Sequence, residues 1–212
     1  MTINYENLNN CGSNIKIFDK SRLLIVTKNQ SLEDIQELIN SGYRMFGENR
    51  VQEAKLKFSS LNNSEDINLH LIGPLQTNKV KEALIIFDTI ESIDRKKLID
   101  EIFKLTNKGL KIRTNNYYIQ INIGSEDQKF GVSKLEVFEL YDYALSKNLS
   151  IEGLMCIPPN TGSPEKYFQE MNSIRDNLDK NLKLSMGMSN DYLLALKNNS
   201  NIVRIGSLIF ND

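Results

Sequence analysis

RLLIVTKNQSLEDIQELINSG, residues 22–42, holds one strand and one helix back to back. Residues 23–26 are a short apolar run of the kind that forms a buried strand. Leu32, Ile35, Leu38 and Ile39 then recur at helical spacing, with Ser31 as N-cap, Asp34 three residues on and Gly42 as a stop. The same alternation runs to the C-terminus. Further strand segments are YRMFGEN, NLHLIG, FDTIESI, YYIQINI, IEGLMCI, LKLSMGMS and NIVRIGSLIF. Helical patterns lie between them. RVQEAKLKFSSL carries Val51, Ala54, Leu56 and Phe58 as its apolar residues. TNKVKEALII follows, then DRKKLIDEIFKLTNKG, with Asp94 as cap and Gly109 as stop. A segment near residues 134–147, then SPEKYFQEMNSIRDNLDK with Pro164 in its first turn, and NDYLLALKNN complete the set.

Eight strands separated by helices imply parallel strands joined by crossovers. The predicted fold class is α/β: a single compact (β/α)8 TIM barrel over residues 22–212, with residues 1–21 as a poorly structured N-terminal arm. A typical barrel has about 250 residues, so 212 residues require tight loops. The competing architecture, an open doubly wound sheet, usually carries a glycine-rich first turn, and TKNQS has no glycine.

Composition removes other classes. With 26 Lys and Arg against 27 Asp and Glu there is no basic surplus for nucleic acid. No apolar run approaches a membrane span, and the Asn-rich N-terminus does not read as a signal peptide. Two distant cysteines and one histidine make neither a disulfide framework nor a usual zinc cage, so no metal is expected. A cytoplasmic location is expected.

In a barrel the chemistry sits at the C-terminal ends of the strands. Lys28 shares parity with Leu24 and Val26, so it is expected to face inward and be buried at that end, where burial disfavours its charge and a desolvated amine can condense with a carbonyl as a Schiff base. The competing reading is a lysine reaching solvent or paired with Glu48. The second strand offers Glu48 and Asn49, the third His70. The fifth is expected to turn Tyr118, Gln120 and Asn122 inward and Tyr117, Ile119, Ile121 and Ile123 outward. GMSND and RIGS end the last two strands, where barrels often hold phosphate. Gly206 and Ser207 offer N–H donors there, and Ser189 a hydroxyl that could cap the following helix. A carbonyl-trapping lysine beside a phosphate cradle suggests pyridoxal 5′-phosphate (PLP). Arg204, inward and permanently charged, suits the pyridine nitrogen, a position PLP enzymes give to an acid or an arginine. Its alternative is an internal salt bridge, for example with Glu48. Lys79, Lys81 and Lys129 near strand ends could meet a second anion, or be ordinary solvated lysines.

LLIVTKNQS, GYRMFGENRVQEAKLK, LHLIGPLQTNKVK, FDTIESIDR, IQINIGSEDQKFGVS, IEGLMCIPP, LSMGMSNDYLLAL and VRIGSLIF together resemble the pyridoxal phosphate homeostasis protein family, the proline synthetase co-transcribed homologue type. Its fold is like the barrel domain of alanine racemase. The resemblance covers nearly the whole chain after about residue 22. It implies that Lys28 bears the internal aldimine and that Asn49, Ser189, Gly206 and Ser207 hold the phosphate. It also implies that Arg204 meets the pyridine nitrogen, with Met155 and Met188 near the cofactor. His70 falls in a matching motif without an assigned role. The region before Lys28 departs from the family pattern, lacking a recognisable amphipathic helix, and the sequence ends at IFND where relatives continue.

The racemase-like enzymes take a second base from outside the barrel, and no such domain is expected here. The function expected is therefore a PLP-binding homeostasis protein of vitamin B6 metabolism. It would carry or buffer the cofactor through a lysine aldimine without clear catalytic activity, with apo PLP-dependent enzymes as recipients and a monomer or weak homodimer as its state. The alternative is a small PLP-dependent amino-acid racemase with a base drawn from Tyr118, His70 or Lys129.

Overall fold

The computed structural model describes residues 2–61, 66–160 and 162–211. Strand β1 (Thr2–Ile3) and helix α1 (Tyr5–Lys16) precede the first barrel strand, β2 (Arg22–Val26). Then follow α2 (Leu32–Asn40), β3 (Met45–Glu48), α3 (Val51–Phe58), β4 (Asn68–Leu71), α4 (Val80–Ile86), β5 (Thr89–Ile93) and α5 (Lys96–Asn107). The second half runs β6 (Asn116–Ile121), α6 (Val137–Ser146), β7 (Ile151–Cys156), α7 (Pro164–Leu178), β8 (Lys183–Ser185), α8 (Tyr192–Lys197), β9 (Ile202–Ile205) and β10 (Phe210–Asn211).

Strands β2 to β9 pair in parallel with their sequence neighbours, and β9 pairs with β2, closing an eight-stranded barrel. The expected (β/α)8 architecture is the one formed, and the open sheet is excluded by the Leu24–Arg204 and Ile25–Ile205 pairings.

Period-two alternation sorts every strand into two faces. Ile25, Phe46, Leu69, Leu71, Ile90, Leu154, Leu184, Val203 and Ile205 pack outward under the helices in the main core. Leu24, Ile72, Tyr118, Met155 and Ile202 form a separate inner cluster, with Val26, Met45 and Ile157 packed against it. The fifth barrel strand divides as expected: Tyr117, Ile119 and Ile121 lie in the outer core and Tyr118 in the inner one. Ser31 caps α2, its hydroxyl accepting from the Asp34 N–H at 3.1 Å, and Gly42 follows at φ +92°, the left-handed conformation that ends the helix.

Two details of the helices differ from expectation. The N-cap of α5 is Arg95, without a side-chain cap bond, because Asp94 pairs with the Arg95 guanidinium at 2.5 Å. Leu56 is 73% exposed, since α3 buries Val51, Ala54 and Phe58 instead.

The larger difference concerns the expected N-terminal arm: within residues 2–21 the chain forms β1 and the helix α1 instead of a poorly structured segment. Asn4 caps α1 by accepting from the Asn7 N–H at 2.9 Å, and Leu8, Cys11 and Ile15 form its buried stripe. The helix is amphipathic despite four asparagines and a glycine between Tyr5 and Lys16. Tertiary contacts override its weak propensity. The Asn7 amide donates to the Leu208 carbonyl at 2.8 Å and the Asn14 amide to the Tyr192 hydroxyl at 2.9 Å. β1 pairs antiparallel with β10, so the two ends of the chain close over each other. Leu8 is fully buried. Leu8→Ala is therefore expected to cost about 2–5 kcal/mol, read from the denaturant midpoint. A cost no larger than a surface change would show that α1 is not part of the cooperative unit.

Candidate functional site

Lys28 lies two residues beyond β2, in the turn that follows Leu24 and Val26 of the inner cluster. It is exposed at the C-terminal mouth of the barrel. The expected burial of its side chain is not found, because the strand has already ended and the mouth is open above Val26. The amine is reachable from solvent.

Glu48 does not pair with Lys28. It shares the outward parity of Phe46, which packs on Phe58 of α3 with ring centroids 6.0 Å apart. Its Oε1 accepts from the Thr27 hydroxyl at 2.7 Å and from Lys57 Nζ at 3.1 Å. Burial raises the Glu48 carboxyl above its usual range, against the opposing pull of Thr27 and Lys57.

Asn49 follows on the inward side, half-buried, with its backbone against Gly73. It borders a cavity of about 500 Å³ that Arg50, Pro74 and Phe130 also line. A wider cleft of about 840 Å³ opens at the other end of the barrel, beside Lys20, Arg22 and Lys183 at the strand N-termini. It is the larger space, but it lies away from the strand ends where barrels hold their chemistry.

The mouth continues through the turns after β8 and β9. Ser189 is half-buried and its hydroxyl accepts from the Leu208 N–H at 3.3 Å, tying the two turns together. It does not cap α8. The N-cap is Asp191, whose carboxylate turns back to accept from the Met188 N–H at 2.6 Å. Gly206 is half-buried and Ser207 exposed. A Cβ on Gly206 would stand 3.2 Å from the Val26 Cβ, so the glycine lets the last turn sit close to the strand that carries Lys28. Met188 is half-buried in the same loop. Met155 is fully buried in the inner cluster and belongs to the floor beneath the mouth.

Arg204 lies one layer down, paired with Leu24 across β2 and β9 and only 3% exposed. It donates to the Ser185 hydroxyl at 2.8 Å and to the Cys156 carbonyl at 2.7 Å. Ser185 donates to Glu91 Oε2 at 2.6 Å, and Glu91 Oε1 meets His70 Nδ1 at 2.5 Å. Four strands thus supply one buried polar chain, His70–Glu91–Ser185–Arg204. Burial alone would raise the Glu91 carboxyl. The hydrogen bond and charge of His70, the charge of Arg204 and the Ser185 hydroxyl outweigh it and hold the group below its usual range. Arg204 therefore has its counter-charge at Glu91, reached through Ser185, and not at Glu48. Neither Glu91 nor Ser185 was singled out from sequence. Their only signal was a polar residue on the inward parity of a buried strand.

The remaining candidates are occupied elsewhere. Burial pushes the Tyr118 hydroxyl up, and the residue is 2% exposed. Lys129 pairs with Glu126 at 2.6 Å and donates to the Pro158 carbonyl at 3.1 Å. Lys79 pairs with Glu82 at 3.1 Å and Lys81 is exposed, so carboxylates rather than a shared anion site answer two of these three lysines. Gln120 and Asn122 brace the loop after β6, the first donating to the Phe130 carbonyl at 3.3 Å and the second to the Glu126 carbonyl at 2.8 Å. The Cys156 thiol is pushed up to about 12 by burial and is a packing group.

The family model described as "Alanine racemase, N-terminal domain" matches residues 4–212. The pyridoxal phosphate homeostasis protein of Aquifex aeolicus is 39% identical over 201 residues, covering 91% of this chain and 87% of that protein. Its counterpart in Pasteurella multocida is 36% identical, covering 89% and 85%. The solved structure of PipY from Synechococcus elongatus with PLP bound superposes with a TM-score of 0.82 at 28% identity, covering 97% of this chain and 99% of that one. Alanine racemase from Acinetobacter baumannii shares the fold, with a TM-score of 0.71 at 17% identity, and this chain spans 61% of its length. On the closed barrel, the family model and these relatives, the chain belongs to the pyridoxal phosphate homeostasis protein family.

Proposed function

We propose that this chain holds pyridoxal 5′-phosphate at the C-terminal mouth through Lys28, and that it carries or buffers the cofactor in PLP and amino/keto acid homeostasis. The observation that carries the reading is the placement of Lys28. It is a reachable amine two residues beyond β2, with the close-packed Gly206 turn beside the same strand and a buried guanidinium one layer below.

The donor set fits a phosphorylated aldehyde. Asn49, Ser189, Gly206 and Ser207 offer short polar and backbone groups for the phosphate. Arg204 would donate to the ring nitrogen and keep it unprotonated, which makes a weak electron sink. Met188 would border the ring, with Met155 beneath as floor. When bound, PLP supplies an aldehyde that condenses with a lysine amine, releasing one water.

Carriage is favoured over racemisation because a racemase needs a second acid–base group at the substrate carbon. Tyr118 is buried with its hydroxyl pushed up, His70 is engaged by Glu91, and Lys129 is engaged by Glu126. The homeostasis names of the relatives and the PLP in PipY support the same reading. Among the described residues no helix is long and apolar enough to cross a membrane. Both cysteines are free and buried, which agrees with a reducing compartment such as the cytoplasm, and the recipients we propose are apo-enzymes that need the cofactor.

The test is to incubate PLP-loaded protein with L- and D-alanine in deuterated water and follow the α-proton by NMR. No sustained exchange is expected, while PLP passes to an added apo-aminotransferase and restores its activity. Sustained, Lys28-dependent exchange would replace the carrier by an enzyme.

A further inference from the structure

The residues on either side of Lys28 are both tied to one ion cluster on the outer side of the sheet. Before it, the Thr27 carbonyl accepts from Lys57 Nζ at 2.7 Å. After it, the Asn29 N–H donates to Glu53 Oε1 at 2.8 Å. The two anchors are joined, because Lys57 Nζ also donates to Glu53 Oε1 at 2.6 Å and to Glu48 Oε1 at 3.1 Å. Thr27 closes the loop through its hydroxyl on Glu48. Asn29 has φ +60°, a left-handed turn, so the chain reverses immediately after Lys28.

Stability alone is a poor reason for this cluster. Lys57 is 12% exposed at its side chain and Glu48 is fully buried. Glu48 Oε2 is buried without a hydrogen-bond partner, an arrangement that costs free energy. Two carboxylates surround one ammonium, and burial holds one of them above its usual range. What the cluster does achieve is geometric: it fixes the backbone on both sides of Lys28.

We propose that Lys57 is the positioning residue for Lys28. It fixes the Lys28 backbone from behind the sheet, so that the amine leaves the strand in one direction. This inference rests on the reading of Lys28 as the attachment point. The step it serves is condensation: the neutral Lys28 nitrogen bonds to the aldehyde carbon, its two protons leave with the carbonyl oxygen as water, and nothing is oxidised or reduced. Anchoring matters because orientation of a reacting group is a large part of such a barrier. A flexible stem of four carbons on a loose turn would spread the amine over many positions.

The test compares two ligands on wild type, Lys57→Met and Glu53→Ala. PLP carries the aldehyde, whereas pyridoxine 5′-phosphate has the same ring and phosphate with an alcohol in its place. Wild type is expected to prefer PLP and to give a borohydride-trapped adduct. Lys57→Met is expected to slow adduct formation by about tenfold to a hundredfold, with pyridoxine 5′-phosphate affinity unchanged. A general loss of structure would weaken both ligands together. If Lys57→Met does not fold, Glu53→Ala carries the same expectation, because it removes the acceptor for Asn29 from a partly exposed position. Unchanged trapping rates in a folded variant overturn the inference while leaving Lys28 as the attachment point. Absence of any adduct in wild type overturns the attachment reading and the inference with it.

Discussion

Glu91→Leu is expected to destabilise the barrel by about 3–5 kcal/mol, the cost of leaving a buried charge without its partner. Glu91 is fully buried and its carboxylate is the anionic member of the chain that reaches Arg204 through Ser185. Without it, Arg204 remains 3% exposed and donates only to neutral acceptors, the Ser185 hydroxyl and the Cys156 carbonyl. His70 loses its Nδ1 partner as well. Denaturant unfolding of wild type, Glu91→Leu, Arg204→Met and the double variant tests this. The double variant is expected to be more stable than Glu91→Leu, because removing both charges removes the unpaired one. Additive losses would show that the two groups are not coupled. The pH dependence follows from the direction of the shift. The Glu91 carboxyl is held below its ordinary value of 4.5, so its contribution is fully present above that value. It is lost as the pH falls through the folded-state value, when the native carboxylate is protonated. The acid limb of the wild-type stability curve is expected to flatten in Glu91→Leu.

Gly73→Ala is the second large effect, and it reaches the site through the backbone. A Cβ at Gly73 would stand 2.2 Å from the Asn49 carbonyl oxygen and 2.8 Å from its Cα. Main chain cannot give way as a flexible side chain does, so Asn49 must move. The stability loss expected from such overpacking is about 1–3 kcal/mol. The more telling loss is in PLP affinity, because the residue displaced is one of the proposed phosphate ligands. Gly12→Ala is the control. It lies inside α1 with nothing within 4 Å of the added carbon. Relief of glycine's helix penalty is expected to stabilise it by about 0.5–1 kcal/mol with PLP affinity unchanged. Equal PLP affinity in Gly73→Ala and wild type would remove Asn49 from the site.

The barrel was legible because its signals are local. Apolar runs of four to seven residues, helical spacing and stop glycines such as Gly42 sit within one element each, and alternation assigned the faces of β6 correctly. The same parity rule, extended past Val26, predicts an inward Lys28. It failed on burial, because the strand stops at Val26 and exposure depends on how the loops surround the mouth. Helix α1 was missed for the opposite reason. Leu8, Cys11 and Ile15 are spaced for one face, but the asparagines between them mask the pattern, and the anchoring partners Tyr192 and Leu208 lie 178 and 201 residues from the asparagines they hold. The polar chain behind Arg204 was equally hidden. Ser185 and Glu91 are 94 residues apart, and nothing local to either announces the bond. Glu48 was noticed for its position at a strand end and as an alternative partner of Lys28 or Arg204, but its parity is that of Phe46, so it meets Thr27 and Lys57 instead.

The central claim is that Lys28 is where the cofactor attaches, and mass spectrometry tests it most directly. The protein is mixed with PLP, reduced with borohydride, digested and mapped. The account predicts one reduced phosphopyridoxyl adduct on the peptide containing Lys28, and its loss in a folded Lys28→Ala variant. An adduct at another lysine, or full-yield labelling of Lys28→Ala, would contradict it.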